Sequence, residues 1–161
     1  MKPTTLEWIN KAEGDFVTAQ MSYKARKNPN PDAVCFHAQQ CAEKYLKARL
    51  EEAGLVVPKT HNLYALLNLI LPFEPSWNRL AVDLNVLSTF AVAYRYPGIW
   101  ATRVDAGDAM KRLHNVRSAV RQAFALPLPL GVVRLAFKIF SLSGAAFSCF
   151  DRLGRRAVWL V

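Results

Sequence analysis

Hydrophobic residues recur along positions 1–126 with the three-to-four spacing that is typical of amphipathic α-helices. The clearest stripe has gaps of 3, 4, 3 and 4 residues between its apolar members, which are Ile9, Ala12, Phe16, Ala19 and Tyr23. Thr4 and Glu7 have capping-box spacing in front of this stripe, so we predict a first helix over 4–27. The segment 28–31, Asn-Pro-Asn-Pro, ends it, because proline disfavours helix in the residue before it.

The same pattern predicts four more helices. The second begins with Asn30 as its cap and ends at Gly54, which occupies the usual glycine position after a helix. A short third helix covers 61–71, a fourth covers 75–94, and a fifth begins near Asp105 and ends by position 126. The expected buried positions are Val34, Ala38, Cys41, Tyr45, Ala48, Leu63, Leu66, Leu67, Ile70, Leu80, Leu84, Leu87, Ala91, Tyr94, Met110, Leu113, Val116, Val120 and Phe124.

No segment alternates apolar and polar residues over the length of a strand, so the pattern predicts an all-α fold. Four long helices and one short helix are typical of an antiparallel four- to five-helix bundle. The hydrophobic fraction of 52% favours a folded core, and a domain over 1–126 is large enough to fold without a disulfide or a metal. The three cysteines form no CxxC pair, and we expect them to be small buried hydrophobes.

Residues 127–161 differ in composition from the rest of the chain and are predicted to be a separate extension. This segment is apolar and basic, and Arg134 and Lys138 interrupt its longest apolar stretch, over 130–150, so we predict no membrane-spanning helix. One interpretation is an amphipathic helix that lies on a membrane surface. The other is a poorly ordered, non-native sequence appended to the domain, with exposed phenylalanines that favour aggregation.

Charge adds only a mild indication of a partner. The net charge is +9, to which positions 1–126 contribute 16 Lys/Arg against 11 Asp/Glu, or +5. This excess suits an anionic partner such as a nucleotide, RNA or an acidic protein, but it falls short of a strong nucleic-acid footprint. His114, Arg117 and Arg121 share one helical face, which is either a modest RNA-binding strip or an exposed edge. Because the first residues carry no apolar signal-peptide core, we expect a cytoplasmic protein.

A polar stripe runs along the second helix beside its apolar stripe. Its members His37, Gln40, Lys44 and Lys47 lie within roughly 80° of one another at about 100° per residue. An imidazole, an amide and a cation on one line could bind a phosphate or a carboxylate. The alternative is an ordinary solvated helix face.

Two further candidates stand at helix ends. Arg95 and Tyr96 follow the fourth helix, just before the turn-forming pair Pro97 and Gly98. An arginine there can bind phosphate through two hydrogen bonds, and a tyrosine can stack on a base, although the arginine could instead bind the last helix carbonyls. His61 opens the third helix, where it or the next residue is the cap, and a helix N-terminus favours anions.

Four segments, in this order and at suitable spacings, resemble the HEPN domain family. They are WINKAEGDF at 8–16, CFHAQQCAEKYLKA at 35–48, THNL at 60–63 and YRYPG at 94–98. The resemblance covers about residues 4–126. It implies a four- or five-helix bundle that commonly forms a homodimer, and it implies one of two functions.

Many HEPN proteins of the branch that this chain resembles pair with a minimal nucleotidyltransferase in two-component modules that are often interpreted as toxin–antitoxin systems. Other HEPN proteins are metal-independent ribonucleases with Arg, four to six residues and then His. In this chain the positions five to seven before His37, His61 and His114 contain no arginine, so the ribonuclease motif is absent.

We therefore predict a non-catalytic HEPN subunit that binds a nucleotide such as ATP and pairs with a minimal nucleotidyltransferase. No catalytic residue, metal ligand or other cofactor is expected. The alternatives are a metal-independent endoribonuclease toxin and a membrane-surface protein that acts through 127–161. The predicted ligand-binding residues are Arg95, Tyr96, His61, His37, Gln40 and Lys44.

Overall fold

The computed structural model describes residues 1–94 and 97–126, and the regular elements in this part of the chain are all helices, without a strand. The all-α prediction is confirmed. Predictions for 127–161, including the membrane-surface alternative, lie outside the described residues. The elements are α1 (Pro3–Lys24), α2 (Pro31–Glu52), α3 (Leu63–Ile70), a 3₁₀ helix (Pro75–Leu80), α4 (Ala81–Ala93) and α5 (Arg103–Ala123).

The first helix begins one residue earlier than its predicted capping box. Pro3 stands at the first helical position, where its fixed φ suits a helix, and the N-cap is Lys2, which makes no side-chain cap. The predicted Thr4–Glu7 capping box is therefore wrong. The Thr4 hydroxyl instead donates to Oε1 of Glu51 on α2, at 2.8 Å. The helix ends at Lys24, three residues before the predicted end.

The second helix is the centre of the bundle, because it packs against α1, α3, α4 and α5. Its predicted ends are confirmed. The Asn30 side chain accepts the Ala33 N–H at 3.0 Å, and Gly54, with φ of +76°, follows the last turn. All of the residues predicted for its apolar stripe are buried.

The remaining helices differ from prediction mainly at their first turns. Asn62 caps α3, and α5 begins two residues before Asp105 because Thr102 and Asp105 form a capping box. The predicted fourth helix opens as a 3₁₀ helix. Its buried residues Trp77 and Leu80 are three apart, a spacing that places them on one face of a 3₁₀ helix.

The core is continuous across the five helices and includes most of the predicted apolar positions. Tyr23, Tyr94 and Phe124 are only partly buried and pack against its edge. Cys35 and Cys41 are buried free thiols. Burial, with the charges of nearby aspartates, raises the pKa of Cys35 to about 12, so it serves as a small apolar residue. Among the described helices, none is long and apolar enough to cross a membrane.

Candidate functional site

Asp15 of α1 holds two of the predicted site residues on α2. Its Oδ1 lies 2.9 Å from Nδ1 of His37, and its Oδ2 pairs with the ammonium group of Lys44. Because an ionised carboxylate only accepts hydrogen bonds, Nδ1 of His37 is the donor in this pair. Asp15 therefore sets the orientation of the imidazole and leaves Nε2 as the nitrogen that can meet a ligand.

A chain of hydrogen bonds continues from Lys44 along α2 to the start of α3. Lys44 donates to Gln40 at 3.5 Å, and Gln40 donates to Oε1 of Gln39 at 2.8 Å. Gln39 in turn donates to Oε2 of Glu43 at 3.0 Å. Glu43 then accepts from Nδ1 of His61, at 3.0 Å. Four predicted ligand residues thus belong to one polar network.

Glu43 is the most deeply buried carboxylate of this network, with a side chain that is 5% exposed. Burial by itself would raise its pKa, but the hydrogen bonds from Lys47, His61 and Gln39 outweigh burial and hold the pKa below its ordinary value. The His61 side chain remains 75% exposed. This end of the network therefore consists of a buried, ionised carboxylate beneath an exposed imidazole.

The predicted polar stripe of α2 divides at Lys47. This lysine is 7% exposed, donates to Oε1 of Glu43 at 2.8 Å and lies 5.7 Å from the ring centroid of Trp8. Gln40 and Lys44 also bond to protein groups rather than facing only water. His37, Lys44 and Lys47 thus contact residues of α1, so most of the stripe faces the α1–α2 interface. The interpretation as an ordinary solvated helix face is wrong.

A groove of about 290 Å³ opens beside His37, close to the lower end of the range of about 300–1,000 Å³ that is typical of ligand sites. Its walls are largely aromatic, and the polar groups among them are few. Such walls suit a flat ring that stacks on aromatic faces. The lining residues are Asn30, Asp32, Ala33, Phe36, His37, Phe90, Tyr94 and Trp100.

A hydrogen bond ties Ala101, which lies just before α5, to the start of α2 beside the groove. Oδ1 of Asp32, in the first turn of α2, accepts the backbone N–H of Ala101 at 2.7 Å. Burial, followed by the negative charge of Asp105, raises the pKa of Tyr94, which lines the groove. Trp100, the residue before Ala101, also lines the groove and is 79% exposed.

The predicted ligand residues fall into three groups. His37 lines the groove itself, and Gln40, Lys44 and His61 connect to it through the network. The structure brings none of these last three into the groove lining. Arg95 and Tyr96 lie outside the described residues, and their role in binding stays a prediction.

Sequence reasoning missed the carboxylates that orient the histidines. Asp15 lies three residues after Ala12 and four before Ala19, so it shares a face with buried residues of α1. An acid within an apolar stripe is a signal of a buried ion pair. Glu43 gives a similar signal, because it lies between the buried residues Ala42 and Tyr45.

Two arginines in the second half of α5 bond to α1. Arg117 and Arg121 both pair with Glu13 of α1, and their side chains are only 12% and 15% exposed. The Arg117 guanidinium also lies 4.1 Å from the ring centroid of Phe16, and His114 packs edge-on against the same ring. On this face His114 is exposed, but both arginines are engaged with Glu13, so the face is not a free RNA-binding strip.

With this geometry established, comparison with known proteins is informative. A family model for the HEPN domain matches residues 5–123, which is most of the chain. The chain belongs to the HEPN domain family. The match takes in all five α-helices and both sides of the groove. The family resemblance inferred from the four sequence segments is thus confirmed.

Two solved structures share this HEPN fold. TT1696 from Thermus thermophilus is 22% identical, has a TM-score of 0.65, and is aligned over 75% of this chain and 98% of its own. ST0689, described as an archaeal HEPN homologue, is 24% identical with a TM-score of 0.59, and 76% of this chain aligns with 98% of that protein. No curated protein matches the chain.

Membership of the HEPN family does not by itself specify the function, which depends on the residues of the site. The arginine–histidine motif of the family's ribonucleases is absent from the sequence. Among residues 1–94 and 97–126, no group of three or more His, Cys, Asp or Glu side chains is placed to hold a metal ion. The features on which a function can be built are the oriented His37 and the aromatic groove.

Proposed function

We propose that this HEPN protein is a nucleotide-binding subunit that pairs with a minimal nucleotidyltransferase in a toxin–antitoxin-like module. The observation that carries the proposal is the aromatic groove, one wall of which is a histidine held by a carboxylate. Such a site offers stacking for a base and, when Nε2 of His37 is also protonated, an N–H donor for a phosphate oxygen. The polar network favours a preorganised site, because it fixes the imidazole before a ligand arrives.

Within this proposal the predicted residues have different tasks. Nε2 of His37, Arg95 and Tyr96 contact the ligand, with Arg95 on the phosphates and Tyr96 on the base or ribose. Lys44 and Gln40 act by positioning, since their side chains already bond to Asp15 and Gln39. His61 stands at the far end of the same network, where Nε2 can meet a second ligand group or the partner enzyme.

The pairing with a nucleotidyltransferase draws support from the surface beside the groove. Ile99, Trp100 and Val104 are exposed by 60%, 79% and 80%; Trp100 lines the groove, and the other two lie within four residues of it in the sequence. Exposed apolar side chains gathered around a ligand site are typical of a protein interface. A partner seated there would meet the bound nucleotide directly, and a homodimer would present two such sites.

Calorimetric titration of the full-length chain with ATP tests nucleotide binding. Wild type should bind, and Arg95→Ala should weaken the affinity by about tenfold or more, since charged hydrogen bonds contribute about 1.5–3 kcal/mol. The matched control is Arg79→Ala, which removes an exposed arginine on the 3₁₀ helix, away from the groove lining. Equal affinities for wild type and Arg95→Ala, or no binding by wild type, would refute the proposal.

A further inference from the structure

Asp32 is a charged acid in a groove that is otherwise aromatic, apolar or neutral in its described lining, apart from His37. A carboxylate repels phosphate, so this side of the groove disfavours the charged end of a nucleotide. The base is the part of a nucleotide that suits this side.

The carboxylate of Asp32 is held in one orientation. Its Oδ1 accepts the Ala101 N–H at 2.7 Å, and this bond ties α2 to the segment before α5. Within the described residues, Oδ2 makes no hydrogen bond to the protein. Because an ionised carboxylate only accepts, Oδ2 is complementary to a donor group on a ligand in the groove.

We propose that Asp32 determines base specificity, with Oδ2 accepting a hydrogen bond from an exocyclic amino group of a base stacked on the aromatic walls. This inference rests on the proposed nucleotide binding. It selects bases that carry an amino group over otherwise identical bases that lack one. An amino-free edge leaves the carboxylate without a partner or places an acceptor against it, and either result lowers affinity.

Two nucleotide pairs that differ by one amino group test the proposal by calorimetric titration. They are ATP with purine riboside 5′-triphosphate, which lacks the 6-amino group, and GTP with ITP, which lacks the 2-amino group. For the full-length wild type, whichever of ATP and GTP binds more tightly should have about tenfold higher affinity than its amino-free counterpart. This ratio corresponds to the loss of one charged hydrogen bond.

The decisive variant is Asp32→Asn. Its carbonyl oxygen can still accept the Ala101 N–H, while its amide replaces Oδ2 with a donor. The tenfold preference should then disappear or reverse. Asp83→Asn is the control, because Asp83 bonds to Arg112 and Asn115 and does not line the groove, so the preference should persist.

The outcomes separate the two proposals. Equal affinities within both pairs for wild type, or a preference that survives in Asp32→Asn, would overturn the role of Asp32 while nucleotide binding stands. Absence of binding for all four nucleotides would overturn the proposed function and, with it, this inference.

Discussion

Two regions of the bundle contain similar polar residues and use them differently. Around Glu13, one carboxylate accepts from Arg117, Arg121 and Tyr45, so three helices are joined with the cations turned inward. At the groove, a carboxylate again fixes a basic residue, but His37 keeps one nitrogen for the groove. A basic residue therefore serves function only where the fold leaves part of its bonding capacity open.

The electrostatics of Glu13 support its structural role. Burial by itself would raise its pKa, but the hydrogen bonds from Arg117 and Tyr45 and the charges of both arginines lower it. Partly buried ion pairs are costly to break by removing one partner, because the other partner stays desolvated and unpaired. We therefore expect mutations at Glu13 to change stability and mutations at the groove to change binding.

The largest expected effect is a loss of protein stability when the Glu13 cluster is disrupted. Glu13→Ala leaves two arginines of α5 without this carboxylate and should lower the free energy of unfolding by about 3 kcal/mol. Urea denaturation of the full-length chain measures this change. The control is Glu7→Ala, whose exposed pair with Lys11 should contribute less than about 1 kcal/mol. A loss at Glu13 no larger than at Glu7 would show that the cluster is not a structural tie.

A smaller effect, on binding, is expected from Asp15→Asn. The amide cannot supply a second accepting oxygen, so either His37 or Lys44 loses its partner and the imidazole is less firmly oriented. ATP affinity should fall by about tenfold, which corresponds to the loss of roughly one charge-assisted hydrogen bond. Calorimetric titration, with circular dichroism as a check on folding, measures it. Unchanged affinity in the folded variant would show that the hydrogen-bond network does not contribute to binding in the groove.

Sequence reasoning succeeded where local chemistry decides the structure. The cap at Asn30 and the glycine at Gly54 are signals contained within a few residues, and both ends of α2 follow from them. It failed where two local signals competed. Thr4 has capping-box spacing, but Pro3 starts the helix first and the hydroxyl of Thr4 finds an acceptor 47 residues away.

The site was harder to predict from the sequence than the fold, because its contacts join distant parts of the chain. His37 was recognisable as a candidate, but its partner Asp15 lies 22 residues earlier, and Arg117 meets Glu13 across 104 residues. Periodicity places a residue on a helix face without naming the helix opposite. Lys47 shows the consequence: it lies on the predicted stripe, yet it bonds to the buried Glu43 and packs beside the partly buried Trp8.

The most direct test of the central claim, a nucleotide stacked in the groove, is an NMR titration of the tryptophan indole N–H signals with ATP. Trp100 lines the groove, whereas Trp77 is buried in the core and Trp8 packs beside Lys47. Trp100→Phe identifies the relevant signal. A saturable shift of the Trp100 signal, with Trp77 and Trp8 unmoved, is the predicted result. A saturating titration that leaves Trp100 unmoved would contradict the claim.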